Sequence, residues 1–194
     1  MVPPHNVESL MRKAESARSV ILDLREDGGG RVETLEELIG HFLNEEGKLA
    51  ESISRQKTVD LKIKPRKPII TAPLFVLVDS HSASASEIFA RSIQLNHRGK
   101  VVGDVSSGKI NEAHIIWGAV GSVYVVPYGT EIAVAKVVMP DGKGLEGTGV
   151  VPDEVCVPSS DDLRAGKDPC LVKALELARV ASGPSTAVKS SPSK

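Results

Sequence analysis

The densest run of reactive side chains is Asp79-Ser-His-Ser-Ala-Ser-Ala-Ser-Glu87, where hydroxyls, an imidazole and two carboxylates crowd into nine residues. It follows the apolar run Leu74-Phe-Val-Leu-Val78 and leads into Ile88-Phe-Ala90, so it falls where a buried strand hands over to a helix. A hydroxyl at such a junction is exposed at the strand end, while the first helical N–H groups point at any negative charge that develops there. That is the chemistry of nucleophilic attack on a carbonyl. The same residues also have a purely structural reading, because Ser84-Ala-Ser-Glu87 is a capping box.

A base is the second requirement, and Gly103-Asp-Val-Ser-Ser-Gly-Lys109 offers one on a loop after the next short strand. Its GxxxxGK spacing imitates a phosphate-binding loop, with Val-Ile-Leu-Asp23 as a metal-holding strand end. Two features exclude nucleotide binding. Ile110 stands where a Mg²⁺-holding Ser or Thr is needed, and the residues that follow read as strands instead of the helix whose N-terminus would hold phosphate.

The elements that must position these loops alternate. A capped amphipathic helix is expected from Asn6 through Val7, Leu10, Met11 and Ala14, then a strand over 19–25, the glycine loop Gly28-Gly-Gly30 and a helix over 32–44. A half-exposed strand over 52–64, the strand 74–78, a helix over 84–95 and a strand over 100–103 follow, the pattern of a mostly parallel sheet packed by helices. Beyond Lys109 the helical period disappears: 115–117, 122–126 and 131–138 read as strands of a β-rich layer, and 171–180 as a closing helix. Trp117 and Tyr124 are expected to pack within it. Lys62, Lys64, Arg66 and Lys67 read as a solvated strand face.

Composition narrows the classes. Of 194 residues, 41% are hydrophobic and 25% charged, and 24 Lys and Arg face 25 Asp and Glu, so no basic field exists to hold nucleic acid or an anionic membrane. The apolar runs are far shorter than the ~18 residues of a spanning helix. Cys156 and Cys170 suit neither a zinc site nor a disulfide framework; one bridge and two separate buried thiols both remain open. No metal-ligand spacing and no signal peptide are read.

Taken together, Val20-Ile-Leu-Asp-Leu-Arg25 with its glycine loop, the Asp79 to Phe89 segment, Val101-Val-Gly103 to Gly108-Lys109, Pro140-Asp-Gly142 and Gly149-Val-Val-Pro-Asp153 resemble the carboxyl-terminal processing peptidases, or tail-specific proteases, in order from about Ser19 to Val180. The resemblance implies an α/β, ClpP/crotonase-like fold of mixed sheet layers with packed helices, and a serine endopeptidase that cleaves flexible or C-terminal protein segments. It puts the nucleophile on Ser84, the middle serine of Ser-Ala-Ser-Ala-Ser, and the base on Lys109. No cofactor is implied. A serine hydroxyl needs a neighbouring base, and a lysine serves only while its amine is neutral, a state favoured by dry surroundings. Val101, Val102, Ile115 and Ile116 are expected to supply these. The oxyanion is expected to be held by the Ala85 N–H at the helix start and by an amide of the glycine loop, at Gly29, as the resemblance also suggests.

The chain departs from the family pattern at Ala113, where several members carry a glutamine that orients the lysine, at Leu95, and at Glu26 and Asp27 in place of asparagines. Asn111, Glu112 and His114 are candidates to replace the glutamine. Asp23 and Arg25 are expected to pair and shape the glycine loop. The expected organisation is an N-terminal helix over 1–18, the remnant of a longer upstream region, a catalytic domain over 19–181 and a disordered tail over 182–194. A PDZ-containing region that grips substrate is expected upstream, in an exported, periplasmic-type enzyme. The alternatives are a non-catalytic module that holds an extended peptide or apolar ligand on the same fold, and a fragment inactive without its upstream part.

Overall fold

The computed structural model describes residues 4–183. Four strands, β1 (Val20–Asp23), β4 (Leu74–Val78), β5 (Gly99–Gly103) and β8 (Glu154–Val155), form a wholly parallel sheet in the order β1-β4-β5-β8. The remaining four, β2 (Gly47–Ser54), β3 (Thr58–Ile63), β6 (Glu112–Val120) and β7 (Val126–Val138), form a second sheet in the order β3-β2-β7-β6, antiparallel throughout. The helices are α1 (Pro4–Ala14), α2 (Val32–Gly40), α3 (Ala85–Leu95), the short α4 (Ser160–Arg164) and α5 (Pro169–Ala181).

Strand β4 explains why the parallel sheet is buried on both sides. All five of its residues are buried, and because successive side chains point to opposite faces, Leu74, Val76 and Val78 enter one core while Phe75 and Leu77 enter another. The first core joins α1, α2, α3 and the antiparallel sheet around Leu35, Ile39, Phe42 and Phe89. The second is closed by α5 through Cys170, Ala174 and Ala178. This is the mixed α/β layering expected from the sequence. In α1, Val7 and Met11 are core residues, whereas Leu10 is exposed.

Several boundaries differ for local reasons. Helix α2 stops at Gly40, four residues before the expected end: the Gly40 and His41 carbonyls accept the N–H groups of Arg66 (2.7 Å) and Ile70 (2.8 Å), and Gly40 runs so close to that segment that an added Cβ would lie 2.2 Å from the Lys64 carbonyl oxygen. The strand expected over 52–64 is the β2–β3 hairpin. Its turn is built on Ser54, whose Oγ accepts from the N–H groups of Gln56 and Lys57. The three strands expected after residue 114 are one long hairpin, β6–β7, which projects into solvent: Trp117 is 74% and Tyr124 87% exposed, so neither packs inside. Most of the tail expected over 182–194 lies outside the described residues. Among the described residues no helix is long and apolar enough to cross a membrane.

Two devices tie α5 to the sheet. Cys156, just after β8, is disulfide-bonded to Cys170 in the first turn of α5, closing a loop of sequence separation 14. Closing a loop of this size stabilises by about 2–3 kcal/mol, so reduction with dithiothreitol will lower the Tm by roughly 5–10 °C. A melt unchanged by reductant would show that the bridge contributes nothing.

The second device is ionic. The Arg25 guanidinium bonds both Asp23 oxygens (2.9 and 2.7 Å) and both Asp168 oxygens (2.9 and 2.9 Å), joining the end of β1 to the start of α5. Hydrogen bonds from Arg25 hold both carboxyls below their ordinary value of 3.8. Folded, these groups bind protons less readily than unfolded, so they stabilise above about pH 4 and that contribution is lost as pH falls further. Both are partly exposed, which limits it to about 1 kcal/mol after solvent screening. Arg25→Leu will therefore lower the Tm by about 3 °C at pH 7, and the gap will narrow toward pH 2.5. A gap that widens on acidification would contradict this account.

Candidate active site

The loops that leave the C-terminal ends of β1, β4 and β5 converge, as ligand-binding loops of parallel sheets do. Asp79, at the end of β4, holds the first two together. Its Oδ1 accepts the N–H groups of Glu26 (3.1 Å), His81 (3.0 Å) and Ser82 (3.0 Å), while the Ser82 hydroxyl donates to the Leu24 carbonyl (2.7 Å).

Ser84 caps α3 in an unusual way. An N-cap serine normally has extended backbone angles and spends its oxygen on the helix. Here φ is 55° and ψ −118°, a conformation a serine rarely adopts, and the hydroxyl makes no cap hydrogen bond. The Glu87 N–H bonds the Ser84 carbonyl instead (3.0 Å), so only the returning half of the capping box is a true hydrogen bond, from the Ser84 N–H to Glu87 Oε2 (3.0 Å). Such a backbone costs on the order of 1–3 kcal/mol and persists only where its surroundings enforce it. They do: the Ser84 N–H also donates to the Lys109 carbonyl (2.9 Å), and Gly29 packs so closely that an added Cβ would lie 2.7 Å from the Ser84 Cβ. Gly29, at φ +98°, thus serves the close approach as well as the turn.

Glu87 organises the third loop. It is fully buried, and its Oε1 accepts from Ser106 Oγ (2.6 Å) and the Gly108 N–H (2.7 Å), while Oε2 accepts from the N–H groups of Lys109 (2.9 Å) and Ser84. Ser106 Oγ in turn accepts the Val150 N–H (2.6 Å), and Asp153 Oδ2 accepts the Val101 N–H (2.7 Å). The Gly149 to Asp153 motif is therefore a brace for the lysine loop.

The result is a cleft of about 810 Å³ lined by Gly28, His81, Ser84, Lys109, Glu131 and Glu146 among others. The structure brings Ser84, Ala85, Lys109 and Gly29 together from three loops, and the half-buried Ser84 hydroxyl has no hydrogen-bond partner among the described residues. Lys109 differs from expectation. Its side chain is exposed, because Ile115 and Ile116, expected to dry it, are themselves 55% and 57% exposed on the projecting hairpin. Of the two expected oxyanion donors, the Ala85 N–H has no acceptor among the described residues, whereas the Gly29 N–H donates to Asp27 Oδ1 (2.8 Å).

Three features were missed in the sequence. Glu146 enters the cleft from the segment after β7 and accepts the N–H groups of Ile110 and Asn111 through Oε2 (3.0 Å each). Glu131 enters from β7. Neither belongs to a motif near the serine, so spacing gave no signal. Asn111 and Ala113 line the cleft, while Glu112 and His114 fall on the alternate face of β6. The third is a cluster at the rim: Glu26, Asp79 and His81 present ligand atoms within 4.8 Å of one another, although Asp79 Oδ1 is already spent on backbone donors.

Comparison with known proteins follows the same lines. The model of peptidase family S41 matches residues 3–156. The carboxyl-terminal-processing peptidase 1, chloroplastic, of Arabidopsis thaliana is 32% identical over 164 residues, covering 81% of this chain and 31% of the relative. A carboxyl-terminal-processing protease of Picosynechococcus is 33% identical over 143 residues, covering 73% and 32%. Among solved structures, the photosystem II D1 C-terminal processing protease superposes with a TM-score of 0.59 at 25% identity over 80% of this chain and 38% of that one. Mature CPAF superposes at 0.72 and 15% identity over 94% and 46%, a likeness of fold. The chain spans about a third of the length of the curated relatives it matches.

Proposed function

The chain belongs to peptidase family S41, and on that footing we propose that it is the catalytic portion, over 19–181, of a serine endopeptidase that acts on flexible or C-terminal protein segments through Ser84 and Lys109. The observation that carries this reading is the Ser84 backbone. A strained N-cap whose hydroxyl is withheld from the helix and turned into a cleft has no structural purpose, and strain of this kind collects at functional sites.

The Ser84 hydroxyl attacks the peptide carbonyl carbon and passes its proton to the neutral Lys109 amine. The carbonyl oxygen takes up the negative charge within reach of the Ala85 N–H. Collapse breaks the C–N bond, and the Lys109 ammonium returns the proton to the departing amine. A water then adds to the acyl carbon as it gives a proton to Lys109, the bond from that carbon to the Ser84 oxygen breaks, and the Lys109 ammonium returns the proton to Ser84. Two adjustments accompany binding. Asp27 gives up the Gly29 N–H so that it becomes the second donor, and a polypeptide laid over the cleft excludes water from Lys109, supplying the dryness the chain alone lacks.

The Cys156–Cys170 bridge supports an exported protein, since disulfides persist in oxidising compartments. A longer chain with an upstream substrate-gripping region of PDZ type fits the length of the relatives. Cleavage of an unfolded polypeptide by the parent chain, by Ser84→Ala and by Lys109→Ala tests the reading. Turnover lost in both variants supports it. Turnover retained in either, or absent from the parent, overturns it.

A further inference from the structure

From Ile115 to Thr130 the chain carries no Lys, Arg, Asp or Glu across sixteen residues, yet this stretch is the exposed outer part of the β6–β7 hairpin. Exposed edges of sheets normally carry charges that discourage association, and β6 is an edge strand. What covers it is suggested by the register. Ala113 pairs with Ala133, Ile115 with Glu131 and Trp117 with Gly129, so alternation sets Ala113, Ile115, Trp117, Glu131 and Ala133 on one face. Ala113, Glu131 and Ala133 line the cleft beside Ser84. The apolar shelf is thus continuous with the cleft. Gly129 permits it: Ile115 Cγ2 and the Trp117 ring lie 3.1 and 3.2 Å from where a Cβ on Gly129 would stand, so the two side chains close over the glycine and form one surface.

We infer that Ile115 and Trp117 form an accessory subsite that grips a large apolar side chain of an unfolded polypeptide about four residues from the bond that is cleaved. The spacing follows from the four-position step from Ala113, in the cleft lining, to Trp117, about 13 Å along a strand, which is about the reach of four residues of an extended substrate. The one carboxylate on this face, Glu131 opposite Ile115, disfavours an acidic segment, and continuity with the cleft favours substrate over a second copy of the chain. The inference rests on the cleft being the site of cleavage.

Trp117 is the sole tryptophan, so its fluorescence reports directly on this surface. In the 194-residue chain carrying Ser84→Ala, titration with twelve-residue Ser/Ala/Gly peptides in which one leucine is moved stepwise along the peptide will give a blue shift. Affinity is expected to be highest, about tenfold above the leucine-free peptide, with leucine about four residues from the bond the parent cleaves. In chains retaining Ser84, the matching preference in KM, about tenfold, will fall to about one in Trp117→Ala, and Ile115→Ser will reduce it as well. Equal affinities for all peptides without a spectral shift would overturn the subsite while leaving the Ser84 reading intact if the parent still cleaves them. A position-dependent shift with no cleavage by the parent would keep the subsite as a binding surface and remove the peptidase reading. A blue shift that grows with protein concentration in the absence of peptide would overturn the inference in favour of a second copy.

Discussion

Ser84→Ala will lower peptide-bond cleavage by at least about 10⁴-fold and leave the fold unchanged, a combination few buried or half-buried positions allow. The rate loss follows from removal of the attacking atom. What remains comes only from substrate held against the Ala85 N–H, which cannot replace a covalent step. Stability is spared because the hydroxyl makes no hydrogen bond among the described residues, and alanine carries the same backbone strain at φ 55° as serine does. The Tm is therefore expected within about 2 °C of the parent. Lys109→Arg is the companion variant. It keeps the charge and length of the side chain, but a guanidinium does not give up its proton near neutrality, so a general-base role predicts a loss close to that of Ser84→Ala. A purely electrostatic role for Lys109 would leave Lys109→Arg largely active. Steady-state cleavage of an unfolded protein, with thermal melts of each variant, separates the two. Ser84→Ala retaining a tenth of parental activity would remove Ser84 as the nucleophile.

The parallel sheet and its three loops were legible in the sequence because they depend on local signals: branched apolar runs such as Leu74 to Val78, the glycines after Arg25 and the helix start at Ala85. The hairpin was not, because an apolar strand that is buried and one that is left exposed share the same composition. Ile115, Ile116 and Trp117 read as core and are exposed. The site was legible to the extent that it lies within the motifs. Ser84, Ala85, Gly29 and Lys109 meet as their loops predict, whereas Glu146 and Glu131 arrive through the antiparallel sheet, and that register is a long-range property. The Asp27 bond to Gly29 was hidden for a different reason. A carboxylate two residues from an N–H accepts it only in certain turns, and three successive glycines allow many.

Glu87→Leu will destabilise the fold by at least about 4 kcal/mol, the largest stability loss expected of any single substitution in the site. The sequence reads Glu87 as one half of a helix cap, worth about 1 kcal/mol. The structure makes it the centre of three loops. It is fully buried in the first turn of α3, with no cation against it among the described residues, and its two oxygens accept from three N–H groups and the Ser106 hydroxyl. Leucine fills much the same space but accepts nothing. The Ser84 N–H keeps the Lys109 carbonyl, and Ser106 can turn, yet the Gly108 and Lys109 N–H groups are left with no acceptor, each bond to the charged group being worth about 1.5–3 kcal/mol. Glu87→Gln is the control that keeps shape. It retains one acceptor oxygen and turns an NH₂ toward a donor, so about 2 kcal/mol is expected. Because Oε2 holds both the Ser84 and the Lys109 N–H, Glu87→Gln will also lower kcat at temperatures where it remains folded, by letting the serine and lysine loops separate. Urea unfolding of the parent, Glu87→Gln and Glu87→Leu should give stabilities in that descending order. If Glu87→Leu lies within 1 kcal/mol of the parent, the loops are held by something other than this carboxylate, and the strain at Ser84 loses its source.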